Sequence, residues 1–157
     1  FYRLKRFNKI FFVVLSALIL WNAVSLYNNY FIVFPKEQSQ SFHYALSKTL
    51  PFVFSQEKDY KKIVFSNEDN LYQSYMLFLY YSRYDPLLYQ KQGGTKSAGF
   101  RESHAFGKYE FRPIRWDKEK RDDKTLYVGE PGDFDSSALV VRTLYNLDKS
   151  IAIKIVK

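Results

Sequence analysis

The pattern of apolar and polar positions divides the chain at once. Residues 10–26 (IFFVVLSALILWNAVSL) run seventeen positions without a charge, interrupted only by Ser16, Asn22 and Ser25. At about 1.5 Å per residue this block covers roughly 25 Å, slightly less than the hydrocarbon core of a bilayer, so residues 27–34 are expected to carry the helix into the headgroup layer. Pro35 is expected to close it. Arg3, Lys5, Arg6 and Lys9 precede the block with no acid among them, and the first carboxylate of the chain is Glu37. The positive-inside bias then predicts a cytoplasmic N-terminal end and an extracytoplasmic remainder, with Trp21, Tyr27 and Tyr30 as interfacial anchors. Two other readings compete. Ala23-Val24-Ser25 offers a signal-type cleavage pattern, but the apolar run exceeds the usual length of such a region. A buried core helix does not explain the four bases at its start.

After Pro35 the periodicity changes to that of a folded domain. Residues 36–48 place Phe42, Ala45 and Leu46 at helical spacing, and Pro51 is expected to end that helix, leaving 51–60 as a connection. Residues 62–66 (KIVFS) read as a buried strand that feeds a cap at Asn67 to Asn70. A helix follows to about Tyr84, apolar over more than half its circumference, with Leu71, Tyr75, Phe78, Leu79 and Ser82 on one face. Asp85-Pro86 stops it, which makes the first half of a β-α-β unit. Residues 87–102, with Gly93-Gly94 and Gly99, read as a long exposed loop. Residues 104–116 read as one half-exposed strand with Pro113 at its edge, and 125–129 (TLYVG) as another. Residues 138–145 and 151–156 alternate on either side of a turn at 146–150 and read as a closing hairpin. The predicted fold class is therefore α/β: an N-terminal transmembrane helix (1–35), then a small mixed-sheet domain (36–157) with helices packed on the sheet and a C-terminal β-hairpin.

Composition narrows what the outer part does. About 120 residues suffice for one small core. The absence of cysteine means that packing alone must hold that core together. Four of the 24 bases precede the span, leaving 20 against 16 acids. These are interleaved, as in Lys118-Glu119-Lys120-Arg121-Asp122-Asp123, so no nucleic-acid stripe is formed; a mixed basic surface suits anionic lipid better.

The succession of runs in the outer part resembles the C-terminal extracytoplasmic region of bacterial membrane glycosyltransferases of family 39, related to protein O-mannosyltransferases and aminoarabinose transferases. The matching stretches are 75–90 (YMLFLYYSRYDPLLYQ), 106–111 (FGKYEF), 125–134 (TLYVGEPGDF) and the last strand with its turn, covering about two thirds of the domain. The resemblance implies a multi-span enzyme of the plasma (inner) membrane that moves a sugar from a polyprenyl-phosphate donor to a glycan, lipid or protein acceptor outside. It also implies that the catalytic acids lie in a first outer loop with no counterpart here, so no catalytic residue is carried over. The chain opens on Phe1, and the span is read as the last of several, packing against upstream helices of the same chain. A divalent metal is left open for the full-length enzyme; no cofactor is expected in this part.

The residues themselves offer little chemistry. His43 and His104 have no metal-ligand spacing around them. Asp133-Phe134-Asp135 reads as a turn whose carboxylates satisfy local backbone donors. Gly129-Glu130-Pro131-Gly132 lacks the spacing and the lysine of a phosphate loop, and Ser103-His104 lacks a nucleophile elbow. The aromatics stand out, with 15 Phe and 14 Tyr. Most serve as core and membrane interface, but Tyr81, Tyr84 and Tyr89 fall off the main apolar face and are the candidate substrate-binding residues, offering ring faces and hydroxyls to a sugar. Three functions follow: a non-catalytic accessory domain of the glycosyltransferase, a free-standing membrane-anchored glycan-binding module, or an assembly domain with an exposed sheet edge.

Overall fold

An uninterrupted helix α1, Tyr2–Asn28, opens the computed structural model and passes through a wider π-helical turn, Asn29–Val33, into a last short turn α2, Phe34–Glu37. Residues 2–97 and 102–157 are described, with side chains from residue 8 onward; the side chains of Arg3, Lys5 and Arg6, and residues 98–101 of the expected loop, lie outside that description. Pro35 does not close the helix. Proline has no N–H to give and its ring crowds the carbonyl four residues back. Here the turn before it has already widened, with the Phe34 N–H donating to Asn29 O, five residues back. The 30-residue stretch Asn8–Glu37 contains an 18-residue window of mean hydropathy 2.2 and is long and apolar enough to cross a membrane. Its large apolar side chains are exposed along its length, and Tyr30 stacks on Phe34 at 6.3 Å near its end.

The chain divides into two units, Phe1–Gln38 and Ser39–Lys157, three residues later than the sequence boundary. Within the second unit the α/β architecture holds. A six-stranded sheet runs in the order β2-β3-β1-β4-β6-β5. Helix α3, Tyr44–Gln56, precedes β1, Lys62–Phe65; α4, Ser74–Ser82, and α5, Pro86–Lys91, follow it. Then come β2, His104–Phe106; β3, Tyr109–Phe111; β4, Thr125–Gly129; β5, Val140–Tyr145; and β6, Ile151–Val156. Strand β1 lies between two parallel partners, β3 and β4, while β2, β5 and β6 join antiparallel.

Four expectations about the second unit are corrected. Helix α3 passes through Pro51, because Leu46, Leu50 and Val53 carry a fully buried stripe across it and outweigh the missing donor, while Pro51 itself faces solvent. Residues 87–91, read as loop, belong to α5: Asp85 caps it by accepting the Leu87 N–H at 2.8 Å, with Pro86 at its first position. The predicted strand 104–116 is a hairpin of two three-residue strands folded at Gly107, whose φ of 58° suits glycine. The helix expected from residue 69 begins instead at Ser74, after a short 3₁₀ turn Asp69–Leu71 that has no side-chain cap.

The sheet is covered on both faces. Ile63, Phe65, Leu126 and Val128 meet α3 and α4 on one side, while Val64 and Tyr127 point to Ile114, Trp116 and Phe134 on the other. This is the strand alternation of period two applied to a sheet with no solvent face at its centre. Phe78 of α4 is the hub of the first side, with ring centroids 5.4 Å from Phe54, 5.7 Å from Phe65, 5.4 Å from Phe111 and 4.4 Å from Tyr109. Much of the aromatic content is therefore core.

Candidate functional site

Two of the three candidate tyrosines come together. Tyr81 and Tyr84 line an open groove of about 410 Å³ with Phe54, Glu57, Phe78 and Tyr109, within the ~300–1,000 Å³ usual for ligand pockets. Helix α4 ends at Arg83 in a left-handed turn (φ 51°), and the Tyr84 N–H then reaches back to Leu79 O at 3.1 Å. That reversal keeps Tyr84 beside the helix end, where its ring packs on Phe106 at 5.0 Å and its hydroxyl donates to Gln92 Oε1 at 2.9 Å. Tyr81 is about half exposed at the groove's rim.

The polar end of the groove comes from residues the sequence reading passed over. Glu57, just past α3, accepts a short hydrogen bond from the Tyr109 hydroxyl. Burial, and then the adjoining Glu57 carboxylate, push the Tyr109 phenol far up, so it stays protonated as a donor. Lys108 donates to the Glu57 carbonyl and, at 3.4 Å, to Tyr60 O, tying the end of α3 to the β2–β3 hairpin. Tyr109 was legible as a strand residue. Glu57 was not, because Ser55-Gln56-Glu57-Lys58-Asp59 has the look of a solvated turn. The groove thus joins ring faces to a carboxylate and hydroxyls, the combination that stacks on the apolar side of a sugar ring and accepts its hydroxyl protons.

Tyr89 is elsewhere. Its hydroxyl lies 3.0 Å from His104 Nδ1 and 3.2 Å from Thr95 Oγ1, and burial raises its phenol. His104 is buried and stacks on Tyr75 at 3.8 Å. Burial holds its imidazole below the ordinary 6.5, against the opposing pull of Glu102. Glu102 in turn accepts the Lys96 and Ser97 N–H groups at 3.0 and 2.8 Å, and these bonds, led by Ser97, lower its carboxyl. This is a structural cluster that pins residues 95–97.

The carboxyl ends of parallel strands are a common ligand position in α/β sheets, but here they are filled by their own side chains. Glu130 accepts the Asn70 N–H at 2.8 Å, Asp133 accepts the Glu130 N–H at 2.8 Å, and Arg115 forks onto Glu68 at 2.8 and 3.0 Å. Gly129 is required there, since a Cβ would lie 2.5 Å from Asp133 Oδ2. Asp135 accepts the Ser137 N–H at 2.8 Å, so both carboxylates of Asp133-Phe134-Asp135 act on local donors, as the turn reading expects. Among the described residues no group of three His, Asp or Glu side chains is gathered to hold a metal ion.

Compared with protein-family models, with curated proteins and with solved structures, the chain matches none of them.

Proposed function

We propose that this chain is the membrane-anchored, extracytoplasmic accessory domain of a polyprenyl-phosphate-dependent glycosyltransferase, and that the groove between α3, α4 and the β2–β3 hairpin holds the sugar-bearing acceptor. The observation that carries this reading is the pairing of Tyr81 and Tyr84 with the Glu57 carboxylate in one open groove. The apolar helix and the succession of runs resembling family 39 support it. Tyr81 and Tyr84 supply stacking area, Glu57 and Tyr109 supply orientation, and the sugar-transfer chemistry belongs to the upstream loop that the resemblance implies. Sugar binding by the full chain in detergent, followed by saturation-transfer NMR with a panel of envelope oligosaccharides, tests it. Tyr81→Ala is expected to weaken binding roughly tenfold. Glu57→Gln should weaken it comparably, and no saturation transfer to any oligosaccharide would overturn the groove's assignment. In the intact enzyme, deletion of residues 39–157 should reduce transfer while the membrane-embedded donor site stays assembled.

One feature favours the alternative of a free-standing anchored assembly or glycan-binding module. Strand β5 ends the sheet with Val140 and Val141 exposed, and with Leu139 exposed just before it, an edge open to pairing with another chain. A dimer by light scattering that Val141→Lys dissolves would support it.

A further inference from the structure

We propose that the apolar helix pairs with its counterpart in a second copy of this chain, side by side and in the same direction, along a seam that carries Asn8, Asn22 and Asn29. This rests on reading Asn8–Glu37 as a membrane span.

The seam is written at a spacing of seven. Asn8, Leu15, Asn22 and Asn29 recur at that interval, and Phe11, Leu18 and Ser25 repeat it three residues further on. Seven residues fall about 20° short of two helical turns, so on the continuous helix these positions form one stripe about 100° wide. Ser25 is half-exposed and the other six side chains are exposed. Asn29 opens the wider π-helical turn, which shifts the phase, and the seam ends there.

The asparagines identify the occupant. Asn22 stands at the middle of Asn8–Glu37, about 20 Å from either end. Its amide donates one N–H to Leu18 O at 2.9 Å. The second N–H and Oδ1 have no partner among the described residues, and acyl chains offer none. A carboxamide is donor and acceptor at once, so it is complementary to itself. A second copy crosses the bilayer in the same sense and brings the same three amides to the same depths. Around a two-fold axis parallel to the helices the two Asn22 amides meet, each donating to the other. A helix of different sequence would need polar groups matched to all three depths, whereas a copy has them by symmetry. Phe11, Leu15 and Leu18 pack between the amides, as in left-handed helix pairs where an asparagine on the seam sets the register.

The chain contains no cysteine, so Leu15→Cys, Leu18→Cys, Ala17→Cys and Leu20→Cys each introduce one thiol. Full chains in vesicles of phosphatidylethanolamine and phosphatidylglycerol are oxidised with copper phenanthroline. Disulfide-linked dimers are expected about fivefold more at positions 15 and 18 than at 17 and 20, which lie on the opposite side of the helix. Asn22→Leu should weaken self-association of the full chain roughly tenfold in sedimentation equilibrium in detergent. Asn22→Gln, which keeps the amide, should retain most of it, and Asn28→Leu, off the stripe, should leave it unchanged. Equal cross-linking at all four positions, or none, in a chain that resists alkaline carbonate extraction would overturn the pairing alone. Release of the chain by carbonate would overturn the span and the pairing together. A dimer dissolved by Val141→Lys and untouched by Asn22→Leu would move the interface to β5 and overturn the seam.

Discussion

The two faces of the sheet are covered by different kinds of chain, and they are held differently. The face under α3 and α4 is almost entirely apolar, with Phe78 touching five aromatic neighbours. The opposite face lies under residues 112–124 and 130–138, largely irregular backbone, and here polar groups thread through the apolar ones. Arg112 donates to Pro113 O at 3.0 Å and to Glu119 at 2.8 Å, Tyr127 donates to Lys120 O at 2.9 Å, and Arg121 lies over the Trp116 ring at 5.2 Å. Burial, with Glu119 adding to it, pushes the Tyr127 phenol up to about 12. A helix satisfies its own backbone and presents a clean apolar stripe. An irregular cover leaves carbonyls and N–H groups that side chains must satisfy before the surface can be buried.

The contrast sets a scale of expected effects. Phe78→Ala should be the most damaging, costing about 3–5 kcal/mol in urea unfolding of the full chain in detergent, because the cavity it leaves is walled by rigid rings. On the other face Glu119→Gln should cost about 2 kcal/mol, less than a fully buried pair, because the Arg112 side chain is 30 % exposed although that of Glu119 is only 8 % exposed.

The two faces should also separate in pH. His104, on the helix side, is held below 6.5 by burial, so the unfolded chain takes up the proton first. Its contribution is complete above pH 6.5 and is lost as pH falls below that value toward the folded one. Glu119 is held below 4.5, first by its hydrogen bonds to Arg112. Its contribution survives to lower pH and is lost as pH falls from about 4.5 through the folded value. Unfolding free energy measured against pH should flatten between neutrality and pH 5 in His104→Phe, and only in the more acid limb in Glu119→Gln. The smallest effect is expected at Asp85→Ala, about 1 kcal/mol from the lost cap of α5, seen as faster amide exchange over residues 87–91.

What was legible in the chain was local. Strands 62–65 and 125–129 lie where short apolar runs bounded by turn residues put them, and the closing hairpin where alternation does, because both signals are written in neighbouring positions. The prolines misled: at 35 and 51 a lost hydrogen bond reads as a stop, while the compensation lies in a widened turn or a buried stripe on distant partners. The groove was half legible. Tyr81 and Tyr84 are three residues apart on one helix end, but Glu57 and Tyr109 are separated by 52 residues and meet only through the fold. Tyr89 lies apart from the groove, bonded to His104, whose burial beside it gives no sign in the sequence.

Strand β1 is synthesised before either of its flanking strands, and its register aligns Ile63 with Tyr109 on one side and Leu126 on the other. Until those later segments leave the ribosome, Ile63, Val64 and Phe65 have no native neighbour on either edge. Pairings of this sequence separation form slowly and leave sticky intermediates. A nascent chain arrested before residue 125 should therefore be a client for holdase chaperones, and release from them should coincide with the emergence of β4 from the ribosome.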